Sequence, residues 1–105
     1  MEYNVISADN HIIEAPHTFT AHLPKEYQDR APRILRGDDG GDGWSFDGKP
    51  PRMTFGLNAV AGRPFEDYKA SGLTLDEILP GNYDGGAHLQ DMDADGVDAA
   101  TIYPM

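Results

Sequence analysis

Apolar residues gather in two short runs near the ends of the chain, and Gly, Pro and Asp interrupt the pattern between them. The first run, YNVISA at residues 3–8, is β-branched and apolar with weak alternation, and predicts a strand over 3–9. The second, VDAATIY at 97–103, has the same character. Strands apolar on both sides belong between covering layers, as in parallel sheets. Just before the second run, DGGAHLQDMDADG sets Leu89 and Met92 one helical turn apart. Asp84 suits an N-cap and Gly96 a left-handed C-terminal stop, so a helix over 85–95 is expected. A helix that leads directly into an apolar strand is half of a βαβ crossover, which predicts parallel pairing of the two strands.

The intervening chain reads as a long insertion. Pro16 opens a short helix with Phe19 and Leu23 on one face; Pro24 restarts it with Tyr27 inward, and Pro32 ends it. RILR and WSF flank a Gly/Asp cluster, which predicts a hairpin within 33–47. Residues 52–70 have no period and are expected as irregular loop. Thr74 with Glu77 three places on forms a capping box, so a short helix is expected over 73–79. The order strand, insertion, helix, strand predicts an α/β fold. With so little chain after Tyr103 to pack on, the pattern reads as the front of a larger α/β protein.

Composition narrows the function classes. The 105 residues carry 18 acidic against 8 basic side chains, a formal charge of −10. Such a surface repels phosphate backbones and anionic membranes, so neither nucleic acid nor membrane is expected as a partner. There is no cysteine, hence no disulfide framework and no thiolate metal site. Twelve Gly and eight Pro suit short elements joined by loops, and one Trp, five Tyr and four Phe argue against wholesale disorder. The amino terminus lacks a basic region followed by an apolar one, so a cytoplasmic location is expected.

Candidate chemistry begins in VISADNHIIE, residues 5–14. Side chains two apart on a strand point to one side, so Asp9 and His11 converge if the strand runs through them. An oxygen and an imidazole nitrogen suit a borderline divalent cation such as Zn²⁺ or Mn²⁺, at the carboxyl end of a strand where α/β folds bind ligands. The alternative is a turn made by Asp9 and Asn10 with His11 packed beside it. Two ligands fall short of the three or four a site needs.

VISADNHIIE followed by AP, the DDGGDGWSFDGKP hairpin, GLNAVAGRP, and DMDADGVDAATIYP together resemble the N-terminal part of the amidohydrolase-related family. The similar branch includes aminocarboxymuconate-semialdehyde decarboxylase. The resemblance implies a (β/α)₈ barrel of TIM type, of which this chain would supply the first one to two βα units plus a hairpin-containing insertion. It implies that Asp9 and His11 are metal ligands. Further histidines and an aspartate would come from later strands that this chain does not contain. It also implies a small organic substrate, either hydrolysed or decarboxylated without oxidation. Glu14, three residues past His11, would orient the ligand shell or bind substrate, or else cap a loop.

Other features read more plainly. DMDADG has the first half of a calcium loop, but Ile102 stands where the bidentate Glu belongs. His17 and His22 have finger-like spacing without cysteine partners. His88 is expected as a surface or interface residue, and Trp44, Phe46 and Phe65 as the local core of hairpin and loop. Homo-oligomerisation stays open. A non-enzymatic reading, a truncated or accessory chain acting through protein contact, competes with the metal-dependent hydrolase or decarboxylase.

Overall fold

A Gly-stopped helix and two β-branched segments organise one of the two compact units into which the chain divides, residues 1–15 with 80–105; residues 16–79 form the other. The computed structural model describes residues 2–104. In the first unit, strands β1 (Ile6–His11) and β4 (Ala99–Tyr103) pair in parallel. The helix α2 spans Gly85–Asp95, with the expected bounds. Asp84 caps it by accepting from the Ala87 N–H at 2.8 Å, and Gly96 ends it in the left-handed region at φ 71°. The segment DMDADG is therefore a helix end and stop, not a calcium loop.

β1 begins three residues later than the pattern predicts and runs on through Asp9 to His11. Asp98 explains the late start. Its Oδ2 accepts from the backbone N–H of Asn4 and of Val5, both at 2.9 Å, and its own N–H donates to the Val5 carbonyl at 3.0 Å. That clip occupies the groups a strand at 3–5 would use. The same two backbone donors hold the Asp98 carboxyl below the ordinary carboxylate range.

The strands do not lie between two covering layers. Ile6 is 58% exposed, Ile102 47% and Tyr103 45%, because two strands and one helix cannot cover both faces of a sheet. Leu89 and Met92 share a helical face as expected, but Leu89 is exposed and Met92 half-buried. Gly85, at the first helical position, has no neighbouring atom within reach of an added Cβ. Gly85→Ala should therefore stabilise α2 by about 0.5–1 kcal/mol, through reduced entropy of the unfolded chain. Slower amide exchange across α2 would register it, and unchanged exchange would refute it.

The second unit is built on the expected hairpin, β2 (Arg33–Arg36) antiparallel to β3 (Asp42–Ser45). Gly40 supplies the positive φ of 81° in its loop. Asp42 ties the hairpin to the residues that follow. Its N–H donates to the Leu73 carbonyl and its carbonyl accepts from Phe55. Its carboxylate accepts from Arg36 Nε at 2.7 Å and from the Leu75 N–H at 2.8 Å. Phe55 and Leu73 form an antiparallel bridge, so the aperiodic 52–70 segment folds back over the hairpin.

That segment supplies part of the core of the unit, which no period announced. Phe55, Ala59, Val60, Leu73 and Ile78 are buried, together with Ala31, Ser45 and Thr54. The aromatic expectation fails in part. Trp44 is half-buried and meets Phe19 edge to face at 5.4 Å, but Phe46 is 60% and Phe65 83% exposed. Tyr27, expected inward, is also exposed. The proline-bounded helix is split into α1 (Thr18–His22) and a 3₁₀ stretch over Lys25–Arg30. At 73–79 only one 3₁₀ turn forms, Leu75–Glu77, although the Glu77 carboxylate does reach back to the Thr74 N–H at 2.8 Å. The Leu75 N–H is taken by Asp42 and Pro80 follows closely, so the helix cannot propagate.

Acid sensitivity follows from the carboxylates. The Thr54 hydroxyl and Gly41 N–H lower the Asp39 carboxyl, the Thr74 N–H and Lys69 lower Glu77, and Arg30 lowers Asp47, besides the clip at Asp98. A depressed native value contributes stability above the ordinary carboxylate range, and that contribution is lost as pH falls through the native value. The melting temperature should be insensitive to these groups between pH 7 and about 5, then fall below about pH 4. Asp98→Asn keeps an acceptor but no titrating charge. It should flatten the acid limb in amide exchange of β1 and β4, and an unaltered limb would count against the clip.

The fold is thus mixed α/β with two small sheets and no closed barrel among the described residues. No helix among them is long and apolar enough to cross a membrane.

Candidate metal half-site

Asp9 and His11 occupy alternate positions at the carboxyl end of β1, so their side chains leave the strand on one side. The Asp9 Oδ1 lies 2.9 Å from the His11 Nε2, with both side chains well exposed, 79% and 65%. The turn alternative at Asp9 and Asn10 does not hold, because both residues are within the strand. Two donors bound 2.0–2.1 Å from one ion at octahedral or tetrahedral angles stand about 2.9–3.4 Å apart. The spacing of this pair falls in that interval, and its oxygen-plus-imidazole chemistry suits Zn²⁺ or Mn²⁺.

Alternation already sets the two side chains on one side of the strand. Alternate residues on a strand rise about 6.6 Å, a span that the Asp9 and His11 side chains close by leaning toward each other. Here the register slips. Ile6 and Ser7 pair with Ala99 and Ala100, while Asn10 and His11 pair with Ile102 and Tyr103. Ala8 and Asp9 therefore oppose Thr101 alone, a bulge that bends the strand and re-aims side chains. Asp9 sits in that bulge.

Tyr103 is the neighbour that sequence reasoning missed. It is paired with His11, and the two rings lie 5.7 Å apart at 31°. The available signal was its place at the end of the second parallel strand, in phase with the first. Glu14 lies beyond the strand and is half-buried. Among the described residues, no group of three or more His, Asp or Glu side chains is placed to hold an ion, so Asp9 and His11 stand as two donors. His17 and His22 are exposed at the two ends of α1.

On its other side β1 meets α2. His88 is half-buried, with Nδ1 2.9 Å from the Gly81 carbonyl and Nε2 3.4 Å from the Asn10 amide nitrogen. Beside it a cavity of about 330 Å³ runs between α2 and β4, walled by Leu89, Met92, Ala100, Ile102 and Tyr83. That volume is at the small end for ligand sites. It explains the exposure of Leu89, since helix and sheet stand apart there instead of interdigitating. The site can thus present one carboxylate and one imidazole to solvent from a bulged strand end, backed by a hydrogen-bonded helix. No protein-family model matches the chain, and no curated protein matches it significantly.

Proposed function

We propose that Asp9 and His11 are the first-strand ligands of a divalent-metal site in an amidohydrolase-type hydrolase or non-oxidative decarboxylase acting on a small organic substrate. The observation that carries this reading is their convergence to 2.9 Å at the carboxyl end of a parallel strand. On this reading β1 and β4 are the first two strands of a (β/α)₈ barrel, whose sites lie at that end. The metal, Zn²⁺ or Mn²⁺, would polarise a substrate oxygen or activate water when bound. Asp9 would contribute a carboxylate oxygen, and His11 would present Nε2 with the ring proton on Nδ1, the ion replacing the direct Asp9–His11 contact. Glu14, three residues past His11, would orient substrate or ligands. The remaining ligands would come from further strands.

A second reading is a non-catalytic chain that acts through protein contact. The apolar exposure of β1, β4 and α2 favours it, since such faces normally meet other protein. Calorimetric titration with Zn²⁺ and Mn²⁺ separates the two. The intact chain should bind one ion, and Asp9→Ala/His11→Ala should lose that binding. Binding that survives in the double variant, or is absent from both proteins, removes the metal reading and leaves the contact reading.

A further inference from the structure

We infer that His88 is a positioning residue for the Asp9–His11 pair, acting through Asn10; the inference rests on the metal reading above. A carbonyl can only accept, so the Gly81 oxygen 2.9 Å from His88 Nδ1 assigns the ring proton to Nδ1. In that tautomer the ring offers the Nε2 lone pair, which faces the Asn10 amide nitrogen at 3.4 Å. This polarity orients the Asn10 amide, because the reversed amide would set its oxygen against that lone pair. The correctly turned oxygen accepts from the Ser7 hydroxyl. Gly81, His88, Asn10 and Ser7 thus form one directed chain of hydrogen bonds.

The place where that chain ends gives it a role. Ser7 and Asn10 are the last and first paired residues on either side of the register slip, and their side-chain bond spans the bulge that holds Asp9. A bulge is an unpaired length of strand that re-aims the side chains it carries, and the Ser7–Asn10 bond bridges the ends of this one. Asn10 is the clamp, and it lies between Asp9 and His11 in the chain. His88 touches neither of the pair, yet it decides which way Asn10 faces. Helix α2 carries His88, and its contact with the turn at Pro80–Asn82 keeps Gly81 in reach.

The test uses three variants of the chain and three readouts. His88→Ala deletes the acceptor for Asn10, His88→Gln keeps a side-chain acceptor at similar reach, and Asn10→Ala removes the clamp. Imidazole ¹⁵N spectra of metal-free protein report the hydrogen bond of His11 to Asp9 directly. In the wild type and His88→Gln, His11 should show one fixed tautomer; in His88→Ala and Asn10→Ala it should average between two. Zn²⁺ affinity should fall about tenfold or more in His88→Ala, the range seen when supporting partners of ligands are lost. His88→Gln should stay within about threefold, and His88→Ala should add nothing to Asn10→Ala. Amide exchange of α2 separates loss of the helix from loss of positioning. An unchanged His11 spectrum in His88→Ala overturns the proposal, and so does equal Zn²⁺ loss in His88→Gln, which would make His88 a ligand. If the wild type binds no Zn²⁺ the metal reading fails, while the His11 spectra still decide whether His88 aligns the pair.

Discussion

Phe55→Ala should remove most of the stability of the 16–79 unit. Phe55 is 1% exposed and is the largest fully buried side chain. It also takes part twice in the backbone ladder that closes the unit, donating to Asp42 and accepting from Leu73. Truncating a buried Phe costs about 3–5 kcal/mol, the sum of lost transfer free energy and the cavity left behind. Small units hold only about 0.05–0.15 kcal/mol per residue, so a loss of that size approaches the whole. Relaxation will not refill the space, because Leu73 and Ala59 beside it in the core are themselves fully enclosed. The single tryptophan, Trp44, lies in β3 of this same unit and gives a direct fluorescence probe for urea unfolding. A loss under about 1 kcal/mol would show that Phe55 is not the centre of this core.

Gly56→Ala is the second large effect, and it arises from crowding instead of a void. A Cβ at residue 56 would overlap the Ala70 carbonyl and come within 2.6 Å of the Ser71 Cα. Gly56 has an extended backbone, φ −169°, so the conformation is open to any residue and only the space is restricted. The obstructing atoms are main chain, which cannot swing aside as a side chain would. Overpacking ordinarily costs about 1–3 kcal/mol, and a backbone clash belongs at or above the top of that range. The Phe55–Leu73 bridge is adjacent, so the strain is delivered to the ladder itself. Gly48→Ala is a useful contrast, since no atom lies within 4 Å of its added Cβ and its cost is the left-handed φ of 71° alone. Near-equal melting temperatures for the two variants would rule out close backbone packing at Gly56.

Both effects fall in the stretch that the hydrophobic pattern left blank. Residues 52–70 have no strand or helix period because the segment is held by isolated backbone bonds and close glycine approaches. Its buried positions, Phe55, Ala59 and Val60, are dictated by where the chain folds back and not by a repeating geometry. Periodicity reads only segments whose burial repeats along one axis. The same limit explains Phe65 and Phe46, which are apolar by composition and exposed by placement.

Where local chemistry suffices, the elements are legible in single residues. The bounds of α2 follow from an Asp able to accept from the first turn and a Gly free to take positive φ, both properties of single residues. The hairpin followed from a Gly/Asp loop between two apolar runs, and parallel pairing of β1 and β4 from the helix that leads into β4. At the candidate site, the alternation of Asp9 and His11 was legible as a shared side of a strand. The bulge that holds Asp9 was not, because it is defined by a partner strand, β4, about ninety residues away along the chain. The placement of His88, Tyr103 and the Asp98 clip was hidden for the same reason. Caps, turns and side-chain alternation act over a few residues, so β1, the β2–β3 hairpin, α2 and β4 were legible as elements, whereas the helix expected over 73–79 was stopped by a distant Asp42. Tertiary structure alone decided which apolar residues are buried, where β1 begins, and where the bulge that holds Asp9 falls, since each depends on groups brought together only when distant segments pair.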